Sequence, residues 1–279
     1  MEIQVARVQL AHRAARALMI LSALSAPLGA QWLQYTVPGI PRLADGKPNL
    51  AAPAPRSSDG HPDLSGIWRL RRPCVADAFN PCSVDAGGQE FADIGASLPG
   101  GLPYQPWAAE LVKKRRADFG RDDPVGRCKA AGAVRLLTYP LYRKIIQTPA
   151  VTVILSERDV TYRQVFTDGR PLPQDPEPGW NGYSVGKWQG DALVVETVGL
   201  RDGTWLDRNG SPLTETAKMT ERFQRTNFGN LDVDVTIDDA KAYTRPWTVR
   251  LHQVLVPDTE LLDYYCNDNE KDTVHAVGK

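Results

Sequence analysis

Four charged side chains in predicted strands are of the types that perform general acid–base catalysis: Arg163, Glu196, Glu221 and His252. Two carboxylates beside an imidazole could divide the work of acid and base, because like charges and partial burial favour the protonated form of one carboxylate. The guanidinium of Arg163 could stabilise the anion that forms. We therefore predict these four residues as the catalytic candidates of a site that uses no cofactor.

These charged residues have two interpretations, and the choice depends on which face of the strand carries them. Alternation places Glu221 with Phe223 and Arg225 on one face, but it does not say whether that face is inside. On an inner face the charges would form a polar site, because a buried charge must be paired or used. On an outer face they would form cross-strand ion pairs, which are common and individually weak. The sequence leaves both interpretations open.

Large aromatic residues gather at predicted strand ends in the second half of the chain. The candidates for ligand contact are Trp180, Tyr183, Trp188, Trp205 and Trp247. In a barrel such rings could line a cavity for a small molecule, or they could simply plug the barrel as part of its core. We predict a small-molecule ligand as the partner of this chain.

Other classes of function lack their motifs. The chain has no Gly-x-Ser-x-Gly elbow, no glycine-rich phosphate loop followed by Lys-Ser or Lys-Thr, and no His-Glu-x-x-His. Lysine plus arginine and aspartate plus glutamate both number 33, so no overall field attracts nucleic acid or an anionic membrane. The basic run Lys113 to Arg116 is interpreted as the solvated face of a helix. We predict no metal, no cofactor and no nucleic-acid partner.

A predicted β-hairpin over residues 183–197 organises the elements that position these side chains. Gly190 and Asp191 supply its turn, and strand-like residues alternate on both sides. Further strand-like segments occur at 65–68, 144–147, 151–155, 161–166, 214–225, 231–237, 248–256 and 261–266. No βαβ crossover separates them. We predict a mainly β fold, an antiparallel meander of nine or ten strands that closes into a barrel.

The rest of the mature chain is predicted to be one helix and an irregular arm. A helix over about 106–119 has Pro106 in its first turn and Gly120 just past its end. Residues 31–64 are rich in proline and glycine and read as an extended arm that lies over the barrel. The predicted organisation is a signal peptide at 1–30, the arm at 31–64, and a single barrel domain at 65–279 with a helical insertion at 104–120.

The N-terminus and the cysteines indicate an exported protein. Arginines, an apolar run over residues 17–24 and then small residues form the pattern of a cleaved secretory signal, with an uncleaved membrane anchor as the alternative. We expect a periplasmic or secreted protein whose mature chain has no membrane span. An oxidising compartment favours disulfides, and of the three possible pairings we prefer Cys74–Cys82 with Cys128–Cys266.

Several motifs resemble those of a large family of secreted bacterial proteins that is common in soil bacteria. They include DGHPDLSGIW at 59–68, GKWQGDALVVET at 186–197 and YTRPW at 243–247. The resemblance implies export and a β fold and implies no particular reaction. Where such proteins have Cys-Leu-Pro-x-Gly, this chain has Cys128-Lys-Ala-Ala-Gly132. The Gly-Ile-Trp68 start and the meander also resemble the calycin, or lipocalin-like, group of ligand-binding barrels, which implies a calycin-like barrel.

Three functions follow as hypotheses from these observations. The first is an exported barrel that binds a small, partly apolar ligand in its mouth or lumen. The second is a lyase, isomerase or hydrolase that uses the lumen carboxylates and the histidine without a cofactor. The third is an envelope-associated interaction protein whose arm docks a partner. The direction in which Glu196, Glu221 and His252 point separates the second from the others.

Overall fold

A computed structural model describes residues 36–71 and 89–266 of the chain. Within them, nine strands close into one barrel in which each strand lies beside the next and β9 returns to β1. The strands are β1 (Gly66–Leu70), β2 (Arg143–Gln147), β3 (Val151–Ser156), β4 (Thr161–Phe166), β5 (Tyr183–Gln189), β6 (Ala192–Val198), β7 (Lys218–Asn227), β8 (Asn230–Asp238) and β9 (Trp247–Leu255). The predicted closed β-barrel is confirmed.

One strand pair departs from the predicted meander. β4 and β5 run parallel, with Val165 opposite Ser184 and Phe166 opposite Val185. The connection over 167–182 carries the chain back along the barrel before β5 begins, and a parallel pair requires a crossover of this length. The fully antiparallel arrangement is therefore wrong at this pair. The predicted last strand at 261–266 is also wrong, since it forms only a bridge between Tyr264 and Arg158.

Strict alternation along the later strands builds the core. In β8 the side chains of Leu231, Val233, Val235 and Ile237 are all buried, while their neighbours are more exposed. The inner row of β9 repeats the pattern from Trp247 to Leu255. Burying each large apolar side chain contributes roughly 1.5–3 kcal/mol. The interior of the barrel is therefore the hydrophobic core of the protein.

Two α-helices lie in the described part of the connection between β1 and β2. The predicted helix is α1 (Pro106–Ala117), with proline at its first position. A second helix, α2 (Ala133–Thr138), was not predicted, and all of its residues are buried. The α2 carbonyl of Leu136 accepts a hydrogen bond from Arg143 Nη1 at 2.6 Å, and that of Leu137 accepts one from Gln253 Nε2 at 3.1 Å. Helix α2 thus closes one end of the barrel, which we call the helical end.

Membrane-spanning helices are not found in the described part of the chain, where no helix is both long and apolar enough to cross a bilayer.

The N-terminal arm contains two copies of one loop. Residues 41–50 read PRLADGKPNL and residues 55–64 read PRSSDGHPDL. Gly46 and Gly60 both have left-handed backbone, with φ of +83° and +84°, which glycine adopts without steric cost. In each copy the arginine donates to the carbonyl of that glycine, Arg42 at 3.1 Å and Arg56 at 2.7 Å. The short echo in the sequence is therefore a structural repeat.

Both loops fasten the arm to the end of the barrel opposite α2, which we call the arm end. Arg42 binds Asp258 through two hydrogen bonds of 3.0 and 2.6 Å, and Arg56 binds Asp191 through two of 3.0 and 2.9 Å. After the second loop, Leu64 is 1% exposed and enters the core. The arm is therefore an integral closure of the barrel.

Truncating Leu64 tests this closure. We expect Leu64→Ala to lower the free energy of unfolding by about 2–5 kcal/mol, because it leaves a cavity among core side chains such as Ile145 and Phe223. Leu43, which lies in the first loop and is 50% exposed, provides the matched control Leu43→Ala, with an expected change below about 0.5 kcal/mol. Urea denaturation measures both values. Equal values would show that the arm does not contribute to the core.

Candidate functional site

A polar cluster lies inside the barrel, formed by one inward side chain from each of four strands. Arg163 of β4 donates to Glu221 of β7 through Nη1 at 2.9 Å and Nη2 at 2.5 Å. Its Nε and Nη2 also donate to Ser184 Oγ of β5 at 3.1 and 3.0 Å, and Nη2 donates to Thr197 Oγ1 of β6 at 2.8 Å. Two of the four predicted catalytic residues therefore meet in the lumen.

This lumen cluster is sealed. The side chains of Arg163 and Glu221 are 3% and 0% exposed. Both carboxylate oxygens of Glu221 accept hydrogen bonds, and Ser184 and Thr197 also bond each other at 2.9 Å. A buried ion pair needs such additional partners to offset the loss of hydration. The geometry is that of a satisfied structural network rather than of groups open to a substrate.

The other two predicted catalytic residues lie on the outer wall, so the structure does not bring the four together. Glu196 is exposed because its neighbours Val195 and Thr197 occupy the inward positions of β6. His252 is exposed between the buried Leu251 and Gln253 of β9. Its Nδ1 lies 2.7 Å from Asp232 Oδ1, an outer-wall pair of the weak kind.

One cavity of the lumen is small. It has a volume of about 10 Å³ and lies among inward side chains that include Leu64, Ile145 and Phe223. That volume is about the smallest that holds one water molecule. A ligand of ordinary size would not fit in this cavity.

The five aromatic candidates do not form one ligand cage. Trp188 stacks on His61 at the arm end, with ring centroids 4.6 Å apart. Tyr183 packs against Phe166 at 5.3 Å. Tyr183 and Trp188 are five positions apart along β5, so alternation places their rings on opposite faces of the strand.

The other three aromatic candidates are dispersed as well. Trp180 lies under the guanidinium of Arg201 at 5.2 Å, whereas Trp205 and Trp247 are each 3% exposed. Trp247 does line an open depression of about 410 Å³, together with Leu98, Pro99, Arg245, Pro246 and Thr248. Its indole nitrogen is buried and has no hydrogen-bond partner among the described residues. We call this the tryptophan depression.

A second depression, of about 330 Å³, concentrates charged and aromatic side chains. It is lined by Phe91, Asp123, Val125, Gly126, Arg135, Tyr139, Arg158, Arg208 and Cys266. We call it the arginine pocket. Its size falls in the range of small-molecule sites, and it combines rings with convergent polar groups, as such sites do.

Backbone contacts hold Phe91 and Arg208 side by side on one wall of the arginine pocket. Phe91 ends the 3₁₀ turn Gln89–Phe91, and its carbonyl accepts a hydrogen bond from the Arg208 amide at 3.1 Å. The adjacent Asp207 is fully buried and accepts from the amide of Ile94 at 3.0 Å and from both the amide and hydroxyl of Ser211. Burial raises the pKa of Asp207. This carboxyl fixes the segment from which Arg208 projects.

The opposite wall comes from α2 and the 3₁₀ turn Pro124–Arg127. Arg135 of α2 donates to Asp123 through Nη1 at 2.7 Å and Nη2 at 2.6 Å, and Asp123 Oδ1 also accepts from the Val125 amide. Tyr139 follows directly after α2 and packs edge-to-face against Phe91, with centroids 4.9 Å apart. The buried helix therefore positions both a charge and a ring of the pocket.

The third wall is a strained turn held by the C-terminal segment. Asp159 and Val160 have φ of 55° and 47°, and such a value is an outlier for a β-branched residue. The Asp159 amide donates to the Tyr264 carbonyl at 2.9 Å, and its Oδ1 accepts from the Cys266 amide at 3.2 Å. Strain of this kind persists only where surrounding contacts enforce it, and it clusters at functional sites. The turn carries Arg158 into the pocket.

A disulfide ties this third wall to the second. Cys128 and Cys266 are bonded, with Cα atoms 5.5 Å apart, which confirms the preferred long-range pairing. The predicted partner pair Cys74–Cys82 lies outside the described residues. The disulfide therefore joins the turn before α2 to the segment that holds Arg158.

Guanidinium groups and rings alternate around the arginine pocket. Arg135 and Arg208 each lie 5.9 Å from the centre of the Phe91 ring, and Arg158 lies 5.2 and 5.3 Å from the rings of Tyr139 and Tyr264. Each such contact is attractive because the face of the ring is electron-rich. The arrangement keeps positive charge at a surface that is otherwise partly apolar.

Metal-binding side chains do not gather in the described residues, where no group of three or more histidines, cysteines, aspartates and glutamates could hold an ion. Comparison with known proteins gives no assignment, since no protein-family model and no curated protein matches this chain.

Sequence reasoning missed every charged residue of the arginine pocket. The lining residues come from five separate segments, around 91, 123–139, 158, 208 and 266, and none of these segments has a catalytic or ligand-binding motif. The one usable signal was the predicted Cys128–Cys266 pair, because it brings two of these segments together.

Proposed function

We propose that this protein binds a small, partly apolar ligand in the arginine pocket at the helical end of its barrel. The observation that carries the proposal is a depression of about 330 Å³ in which two rings and three guanidinium groups converge. The cavity among the described apolar side chains of the lumen is far smaller, at about 10 Å³. The Cys128–Cys266 disulfide supports the accompanying proposal that the chain is exported to an oxidising compartment.

The two alternative functions have less support. An acid–base enzyme built on Glu196, Glu221 and His252 needs these groups in one place, whereas two of them face outward and the third is sealed. A partner-docking arm needs exposed binding residues, whereas both arginines of its repeat are engaged by aspartates. We therefore put ligand binding forward.

Ligand-observed NMR on the purified chain tests the proposal with benzoate, benzamide, benzyl alcohol and phenyl phosphate as probes. We expect at least one probe to bind and to lose at least tenfold in affinity in Phe91→Ala, because this ring forms the apolar wall of the arginine pocket. Leu98→Ala, which removes an apolar wall of the tryptophan depression, is the matched control and should bind normally. Both variants are first shown to be folded by their thermal unfolding.

Two outcomes would contradict the proposal. Failure of all four probes to bind the native chain is one of them. Loss of binding in Leu98→Ala but not in Phe91→Ala is the other, since it would move the ligand to the tryptophan depression.

A further inference from the structure

The charges of the arginine pocket do not cancel. Arg135 is paired with Asp123 at 2.6 Å, and Arg158 is paired with Asp159 at 3.0 Å. Arg208 forms no ion pair or side-chain hydrogen bond within residues 36–71 and 89–266, and its side chain is exposed. Among the lining residues and their ion-pair partners, one positive charge is left over.

The pocket also has donors that are not used by the described residues. Arg158 donates through Nη2 to the Val125 carbonyl at 3.2 Å and faces Asp159 through Nε, which leaves Nη1 without a hydrogen bond among the described residues. The guanidinium of Arg208 adds its own N–H groups. Guanidinium donors in this number match the oxygens of a carboxylate, and charge-assisted hydrogen bonds are about twice as strong as neutral ones.

The rings lie where the rest of such a ligand would extend. Phe91 and Tyr139 meet edge-to-face, with centroids 4.9 Å apart, and the guanidinium groups of Arg135 and Arg208 lie near the Phe91 ring. An aromatic or other flat apolar body could contact these rings while its anionic group reached Arg158 and Arg208. A single negative charge would neutralise the pocket, whereas a dianion would leave it with excess negative charge.

Building on the proposed binding function, we propose that the ligand is a small monocarboxylate with a flat apolar body, and that Arg208 is its main specificity-determining residue. The carboxylate takes hydrogen bonds from Arg208 and from Nη1 of Arg158. The apolar body packs on Phe91 and Tyr139.

The four probes named above separate this inference from the binding function itself. Isothermal titration of the full mature chain at pH 7 should show benzoate binding at least tenfold more tightly than benzamide and benzyl alcohol, and more tightly than phenyl phosphate. Benzoate affinity should fall as salt is added, since screening weakens exposed charge interactions. Equal binding of benzoate and its neutral analogues would overturn the monocarboxylate while leaving the binding function intact. If phenyl phosphate bound more tightly than benzoate, the inference that the ligand carries a single negative charge would be overturned.

Two exposed arginines provide the matched variants. Arg208→Gln should weaken benzoate at least tenfold and leave benzamide unchanged, because it removes the charge of an exposed side chain that forms no ion pair or side-chain hydrogen bond with the described residues. Arg245→Gln removes a charge that is also exposed, from the tryptophan depression, and should leave benzoate binding unchanged. Loss of benzoate binding in Arg245→Gln alone would overturn the role of Arg208.

Discussion

Replacing Glu221 with alanine will lower the free energy of unfolding by about 3–5 kcal/mol, the range measured when one member of a buried ion pair is removed. The variant leaves the guanidinium of Arg163 buried with only two hydroxyl partners, Ser184 and Thr197. Urea denaturation with a shared baseline measures the change. The network in the lumen is thereby tested as a structural element of the barrel.

The control for this experiment is an ion pair on the outer wall. Asp234 and Arg250 lie on β8 and β9 with 2.6 Å between Oδ1 and Nε, and the Arg250 side chain is 56% exposed. We expect Asp234→Ala to cost less than about 1 kcal/mol, because water screens an exposed pair. Equal losses in Glu221→Ala and Asp234→Ala would contradict the sealed character of the lumen cluster.

A double variant separates the loss of the pair from the loss of packing. Arg163→Met with Glu221→Leu should recover most of the stability lost in Glu221→Ala, because apolar residues of similar volume often replace buried ion pairs at little cost. Ser184 and Thr197 bond each other at 2.9 Å in the native chain, and we expect them to keep this hydrogen bond in the variant. Benzoate binding should be unchanged in the folded double variant, since none of these residues lines the arginine pocket.

Removing the disulfide will have the second large effect. Cys128→Ser with Cys266→Ser should lower the free energy of unfolding by about 2–5 kcal/mol, because the bond joins residues 138 apart and restricts the unfolded chain. The same double variant should weaken benzoate, because Cys266 lines the arginine pocket and its segment holds the turn that carries Arg158.

Two measurements check the disulfide prediction. Urea denaturation gives the loss of stability, and isothermal titration at a temperature where the variant is fully folded gives the change in affinity. An unchanged midpoint of unfolding would contradict the role of the bond in stability. Normal benzoate affinity in the folded variant would show that the pocket does not depend on the C-terminal segment.

Local patterns in the sequence were sufficient for the nine strands of the barrel, the predicted helix and the closure of the barrel, although they also predicted a strand at 261–266 that does not form. Period-two alternation marks β8 and β9 clearly, because their inner and outer residues differ in polarity. Pro106 marks the start of α1 for the same local reason, since proline fits the first turn of a helix. The inward position of Glu221 could also have been read from the sequence, because its neighbours two positions away, Met219 and Phe223, are apolar.

Local patterns were insufficient for Glu196. In the run Leu-Val-Val-Glu-Thr-Val of β6, both faces carry apolar residues, so alternation alone gives no inner face. Pairing with β5 and β7 decides which face of β6 is inward. Glu196 lies opposite Val185 and Thr220, whereas the inward Val195 lies opposite Glu221. The orientation of a strand with two apolar faces is thus a property of the whole barrel.

The sequence by itself determined a β-barrel with one clear helix and an arm, because these depend on residue types at short, regular spacing. The Cys128–Cys266 pair was only the preferred one of three possible pairings, since its residues lie 138 apart. Only the tertiary structure decided which charges are buried, that β4 and β5 run parallel, and where the arginine pocket lies. The pocket joins residues from 91 to 266, and no local rule connects positions so far apart. Its charges converge because the packed barrel end, the buried helix α2 and the Cys128–Cys266 bond bring separate loops to one surface.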